Sequence, residues 1–232
     1  MNRERPHVPL AIVAAMNEEE GIGPTIAELW QYVKNIEVLV VDGNSRDNTV
    51  RIAEDMGANV IFQEGKGKGD AIAQAIRHIN LHGIEPSYVA LTDADYTYPA
   101  KFMLRMIDIL NEKPSVGMVC GNRFNSHFHL EAMHDMFYAG NRFLAFAHNL
   151  MNGVALRDPL TGLRVLRWEI IRDWVPKSTG FDIEVELNHQ VERKKYDIVE
   201  IPIAYRARMG EKKLKMRHGA TILKRILLEA RN

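Results

Sequence analysis

Tyr88-Val89-Ala90-Leu91-Thr92-Asp93-Ala94-Asp95 is an apolar run that stops at two aspartates separated by one alanine. It reads as a buried strand delivering carboxylates at its end. If strand geometry persists through Ala94, Asp93 and Asp95 point to the same side. Two carboxylates so placed repel, and a hard divalent cation with oxygen ligands relieves that repulsion most simply. By itself Asp-x-Asp is short and common, and a solvated turn, or a cap for the helix after Pro99, is the more economical account of it. The surrounding chain decides between them.

Upstream, Pro9 to Ala15 is a short apolar run ending at Met16-Asn17-Glu18-Glu19-Glu20-Gly21, a first buried strand followed by a polar loop. A helix over 23–33 follows. Ile36 to Val41 is a second buried strand, closed by Asp42-Gly43-Asn44-Ser45-Arg46-Asp47-Asn48-Thr49, which is rich in turn and cap formers. A third strand over 59–63 leads into Glu64-Gly65-Lys66-Gly67-Lys68-Gly69-Asp70, then a helix over 71–79. The helix after the paired aspartates runs over 99–110. Strand and helix alternate at short intervals, which predicts an α/β fold with a mainly parallel central sheet flanked by helices. Ligands of such sheets bind at the carboxyl ends of the strands, where these polar loops fall.

The Gly65–Gly69 stretch lacks both Gly-x-x-x-x-Gly-Lys-Ser/Thr and Gly-x-Gly-x-x-Gly, so kinase and dehydrogenase readings find little support. Thirty basic and thirty acidic residues cancel, leaving no global charge signal for nucleic acid. Cys120, the only cysteine, follows Met118-Val119 in an apolar run and reads as a core residue. A chain of 232 residues suits one domain, 1–232. No apolar stretch approaches the roughly 18 to 20 residues needed to cross a bilayer, and the first residues lack an apolar signal core, so a cytoplasmic protein is expected.

The second half is less regular. Residues 116–121 are strand-like. His127, His129, His134 and His148 lie in a segment without a completing carboxylate or cysteine cluster, and read as surface or core histidines. Phe137, Phe143, Leu144, Phe146, Ala147, Leu150 and Met151 form an amphipathic pattern read as core packing in preference to membrane contact. Asp158-Pro159-Leu160-Thr161-Gly162-Leu163-Arg164 is a polar turn before an apolar segment. A helix begins near Gly180, and Val199 to Tyr205 is an edge strand because Pro202 cannot donate to a central ladder. Arg206, Arg208, Lys212, Lys213, Lys215 and Arg217 crowd around Gly210 in a chain that is otherwise neutral, which points to an anionic ligand.

Taken together, these motifs resemble the inverting GT-A glycosyltransferases of family 2, and within them the polyprenyl-phosphate sugar synthases typified by dolichol-phosphate mannose synthase. Ala15-Met16-Asn17-Glu18 looks like the first nucleotide-binding loop. Residues 41–49 look like the Asp-Gly-Ser-x-Asp-x-Thr loop, and Gly67-Lys68-Gly69-Asp70-Ala71 like the Gly-x-Gly-x-Ala segment. Asp93-Ala94-Asp95 matches the metal-binding Asp-x-Asp, residues 158–164 the acceptor-side loop, and Arg208 to Leu214 the basic loop that closes over the donor. Thr97 stands where such proteins often carry a glutamine.

The resemblance implies a GT-A fold with a Rossmann-like nucleotide-binding half and transfer of a hexose, foremost mannose from GDP-mannose, to a polyprenyl or dolichyl phosphate. Nucleotide-sugar binding falls to Ala15, Asn17, Glu18, Asp42, Lys68, Asp70, Asp93, Ala94, Asp95, Arg208 and Lys213. Asp93 and Asp95 are the implied ligands of Mg²⁺ or Mn²⁺. Asp95, Asp158, Arg123 and Arg164 form the catalytic set, with the two arginines holding an acceptor phosphate. The alternatives are a UDP-glucose-dependent enzyme, a soluble acceptor, and a non-catalytic nucleotide-sugar-binding subunit of a membrane complex. Residues 218–232 form an amphipathic, basic C-terminal helix, packed on its own domain or serving as a peripheral contact with the cytoplasmic face of the membrane or a membrane-embedded partner.

Overall fold

The computed structural model describes residues 8–124, 135–152, 155–213 and 217–230. His127, His129, His134, Leu214 and Lys215 therefore lie outside the described residues. The strands are β1 (Leu10–Ala15), β2 (Glu37–Asp42), β3 (Asn59–Phe62), β4 (Tyr88–Asp93), β5 (Val116–Asn122), β6 (Arg164–Arg167) and β7 (Asp197–Pro202). The helices are α1 (Ile22–Tyr32), α2 (Thr49–Asp55), α3 (Lys68–Leu81), α4 (Phe102–Glu112), α5 (Asp135–Asn152), α6 (Trp168–Ile171), α7 (Ile183–Arg193) and α8 (Arg217–Glu229).

All seven strands join one sheet in the order β3-β2-β1-β4-β6-β5-β7. β1 runs parallel to β2 and β4, and β2 to β3, as the strand–helix alternation predicts. Leu10 to Val13 and Val38 to Val41 are buried without alternation, as expected of strands covered on both faces. One apolar layer, including Val13, Val40, Ile26 and Met106, fills one side of the sheet. A second, including Ile12, Val41, Ile76 and Leu187, fills the other. β7 is the edge strand that Pro202 requires.

β6 is a finding beyond the sequence reading. It runs antiparallel between β4 and β5, so the loop before it emerges at the same sheet edge as the carboxyl ends of the parallel strands. It escaped notice because it is four residues long with an arginine at each end.

One helix departs from expectation, and another takes one of the two courses expected of it. On α5, Leu144, Ala145 and His148 face inward, but Phe143, Phe146 and Leu150 are exposed, so the apolar pattern read as core packing serves that purpose only in part. α8 packs on its own domain, with Ile222 and Ile226 meeting Leu144 of α5 and Val185 of α7. Ion pairs from Arg225 to Asp182 and from Glu229 to Arg193 of α7 tie it down further.

Candidate active site

β4 ends at Asp93, and a turn, not a continuing strand, carries Asp95. The condition for the same-side expectation, a strand persisting through Ala94, is therefore not met, yet the carboxylates remain close enough to interact. Burial first, and then the charge of Asp93, push the Asp95 carboxyl above its ordinary range. Thr97 holds Asp95 in place, its backbone N–H and hydroxyl donating to Oδ1 at 3.1 and 2.6 Å. Tyr96 between them adopts the left-handed conformation, with φ 63°.

On the other side of the pair, Lys68 Nζ lies 2.6 Å from Asp93 Oδ1 and 2.7 Å from Glu184 Oε1. Burial would depress the Lys68 ammonium, but these two carboxylates reverse the effect and hold it protonated. Lys68 opens α3, and Gly67 just before it has φ 89°, with the Thr179 carbonyl where a Cβ would stand. The Gly69 and Asp70 N–H groups donate to that carbonyl, and the Gly65 N–H donates to Asp70 Oδ2. The Gly-Lys loop is thereby cupped by residues 178–180 and presents its lysine to Asp93.

Glu18 sits in the loop after β1, its N–H donating to the Thr49 hydroxyl and its Oε1 2.7 Å from Arg208 and 3.5 Å from Lys213. Burial raises its pKa, with Arg208 and Lys213 working against the rise. Its Oε2 is buried and has no hydrogen-bond partner among the described residues. Asn17 donates its N–H to Ser45 Oγ, accepts from the Arg46 N–H, and offers its carbonyl to Lys213 Nζ at 2.8 Å. Asp42 is fully buried, and its carboxylate accepts from the Ser45 N–H and hydroxyl, so it braces the loop after β2. Ala15 and Ala94 are buried beside these loops.

The basic loop lies directly over the carboxylates. Arg206 N–H and Met209 N–H donate to the carbonyls of Thr97 and Asp95, and Arg206 forms a two-point pair with Glu28 at 2.6 and 3.0 Å. This seats Arg208 with Nη2 3.2 Å from Asp95 Oδ2.

In the loop implied to face the acceptor, Arg123 Nε and Nη2 each stand 2.7 Å from an oxygen of Asp158. Both Asp158 oxygens therefore hold the arginine in place, which leaves neither standing free as a base. Arg164 is almost completely buried and donates to Asn188 and to the carbonyls of Thr161 and Pro159. Those bonds engage the Arg164 guanidinium and fix the 158–164 loop from beneath. The sequence reading passed over two glutamates. Glu200 accepts from the N–H groups of Arg157 and Asp158 and anchors that loop, and Glu184 is the second partner of Lys68. The unusually acidic start of the 183–193 helix was the available signal for Glu184.

The donor set fits a hard cation only in part from the protein side. Among the described residues no group of three or more His, Cys, Asp or Glu side chains is placed to hold a metal. Asp93 and Asp95, repelling each other at a buried strand end, supply the two oxygen donors that suit a cation shared with a substrate's phosphates. Cys120 is buried in β5, and burial pushes its thiol up to about 11, in keeping with a core role.

The Glycosyl transferase family 2 model matches residues 10–174. The dolichyl-phosphate hexose transferase of Haloferax volcanii is 35% identical over 206 residues, covering 88% of this chain and 85% of that protein. The undecaprenyl-phosphate mannosyltransferase of Micrococcus luteus is 28% identical over 222 residues, covering 88% and 86%. Among solved structures, glucosyl-3-phosphoglycerate synthase from Mycobacterium tuberculosis, in complex with Mn²⁺, UDP-glucose and phosphoglyceric acid, superposes with a TM-score of 0.75. That match has 19% identity and covers 97% of this chain and 80% of the other, which establishes the shared fold. A sheet of this order with its polar loops gathered at one edge is the GT-A fold, and the chain belongs to glycosyl transferase family 2.

Proposed function

We propose that this protein transfers a hexose, in the first instance mannose from GDP-mannose, to a polyprenyl phosphate, with inversion at the anomeric carbon. The observation that carries this reading is the stacking of the basic loop on the acidic strand end, Arg208 against both Glu18 and Asp95. Such a site presents carboxylates for a cation and guanidinium and ammonium groups for a diphosphate on one small surface. The named lipid-phosphate relatives support the acceptor class.

Asp93 and Asp95 would hold Mg²⁺ or Mn²⁺, which when bound supplies positive charge to the departing nucleoside diphosphate. Lys68 holds Asp93 in register through its ion pair, and Thr97 does the same for Asp95. Arg208 and Lys213 meet the donor's phosphates. An acceptor phosphate oxygen forms the new bond to the anomeric carbon as the bond to the diphosphate oxygen breaks. A phosphate monoester, with its second pKa near 6, is already largely the nucleophile at neutral pH, so the reaction needs no general base. This agrees with an Asp158 engaged by Arg123.

The test is a donor panel of GDP-mannose, UDP-glucose and related sugars with Mn²⁺, offered a polyprenyl phosphate and, separately, soluble sugar phosphates and phosphoglycerate. Mannolipid formation that disappears in Asp95→Ala supports the reading. Transfer confined to soluble acceptors overturns its lipid part, glucose transfer from UDP-glucose alone overturns its donor part, and absence of turnover with every donor overturns it entirely.

A further inference from the structure

The outward face of α5 has the wrong polarity for a helix in water. Phe143, Phe146 and Leu150 follow one another at spacings of three and four, so they lie on one stripe roughly 10 Å long. Their exposures are 58%, 64% and 69%, and Met151 beside them is 43% exposed. The inward face is already satisfied by Leu144, Ala145 and His148. Among the described residues the stripe therefore packs against nothing. Large apolar side chains gathered on one surface mark a contact with something else.

The charge around the stripe favours one occupant. From Met136 to Arg157 the sequence contains no aspartate or glutamate, while Arg142 adjoins Phe143 and Arg157 closes the segment. Lys224 is exposed on α8, the helix packed beside α5. An apolar stripe with cations at its margin, on a helix whose one acid is Asp135 at its far start, complements the headgroup region of an anionic bilayer.

The stripe also runs into the acceptor side of the site. Arg142 Nη1 reaches the Arg157 carbonyl at 3.4 Å, and its guanidinium stands 5.5 Å from the Phe124 ring centroid. Arg123, paired with Asp158, lies 5.6 Å from the same ring. A surface held by this stripe would lie next to the arginine that faces the acceptor. Among the described residues no helix is long and apolar enough to cross a membrane, so the contact would be peripheral.

We infer that the outer face of α5, with Phe143, Phe146 and Leu150 at its centre, docks the enzyme on anionic lipid bilayers beside the acceptor entrance. The purpose of the contact rests on the lipid-phosphate acceptor proposed above, but its test does not. The full chain is floated with vesicles of phosphatidylcholine alone and of phosphatidylcholine with phosphatidylglycerol, both free of polyprenyl phosphate. The expected result is flotation with the anionic vesicles and a loss of about tenfold or more in the variant Phe143→Ser/Phe146→Ser/Leu150→Ser. In Phe146→Trp the indole emission should shift to the blue on vesicle addition and be quenched by brominated lipids.

Transfer to a short, water-soluble prenyl phosphate is measured alongside. Its retention in the triple variant shows that the fold is intact. Its absence in the parent chain, with flotation preserved, would count against the acceptor reading alone. The docking inference is overturned if the parent chain stays in the supernatant, or if the triple variant floats as well as the parent. It is also overturned if the substitutions convert a dimer into a monomer without changing flotation, which would assign the stripe to a second copy of the chain.

Discussion

Arg208 donates to Glu18 at 2.7 Å while lying 3.2 Å from Asp95, so one guanidinium neutralises two buried carboxylates from separate strand ends. It occupies the neighbourhood in which a cation would be attracted to Asp95. Arg208→Ala should therefore tighten Mn²⁺ binding in the absence of nucleotide, by roughly fivefold, because a competing positive charge has gone. The same change should lower kcat/KM for the donor about a hundredfold, since the diphosphate loses a charge-assisted partner. Calorimetry with Mn²⁺ alone and steady-state kinetics read the two effects separately. An unchanged or weaker Mn²⁺ affinity would show that Arg208 does not compete for the carboxylates.

Chelation checks the cation requirement directly. Transfer should vanish in EDTA and return with Mn²⁺ or Mg²⁺ but not with Na⁺. Transfer that persists after exhaustive chelation would remove the cation from the proposal.

Gly162 controls the placement of Asp93 by its lack of a side chain. A Cβ there would stand 2.6 Å from Asp93 Oδ2 and 3.0 Å from the Tyr98 ring. Gly162→Ala should displace the carboxylate and weaken binding of the Mn²⁺–nucleotide complex about tenfold, with an overpacking cost of about 1–3 kcal/mol. Gly140→Ala, whose Cβ meets nothing within 4 Å, is the control: it should leave nucleotide binding unchanged and, lying inside α5, raise stability by about 0.5–1 kcal/mol. Nucleotide titration and thermal melts of the two variants decide the matter.

The Arg123–Asp158 pair is buried on both sides. Asp158→Asn leaves the arginine without its counter-charge and should destabilise the fold by about 3–5 kcal/mol. Arg123→Met/Asp158→Leu, which removes both charges, should recover much of that loss while transfer to a phosphate acceptor stays low. Urea unfolding alongside acceptor kinetics separates the two roles.

His148 should give the protein a stability slope on the acid side. Burial, then the neighbouring His189 and Arg164, lower its pKa from 6.5 to about 4. The folded state therefore takes up its proton later than the unfolded chain does. The stabilisation is complete above about pH 6.5, declines as pH falls from 6.5 toward 4, and levels off below that, with a total of about 3 kcal/mol. His148→Gln should flatten this part of the profile relative to the parent chain. Unfolding free energies between pH 4 and 7.5 test it, and parallel slopes would dismiss His148 as the source.

The donor half was open to reading because a parallel sheet covered on both faces writes itself as uninterrupted apolar runs, each ending where its loop begins. Ile36 to Val41 before Asp42, and Tyr88 to Leu91 before Asp93, mark both the strand and the edge at which it presents chemistry. Elsewhere the pattern failed for local reasons. β6 is short and bracketed by arginines, and sequence cannot show that Asn188 and two carbonyls engage the Arg164 guanidinium. Glu184 and Glu200 act through partners more than a hundred and some forty residues away respectively, a separation that no local window reveals. On α5 the helical period was plain, but period alone does not say which face turns inward.

The antiparallel course of β6 has a consequence for how such a protein can diversify. Between Asn122 and Arg164 the chain leaves the sheet and returns to it at one edge, so that everything in between is a single excursion hung on two neighbouring strands. The loops proposed to meet the nucleotide hang on β1 to β4 and the Gly-Lys segment, and would keep their register if that excursion were exchanged for another of different length. Under the proposed function, choice of acceptor would be inherited as a cassette, with Gly162 against Asp93 as the joint where a graft must fit.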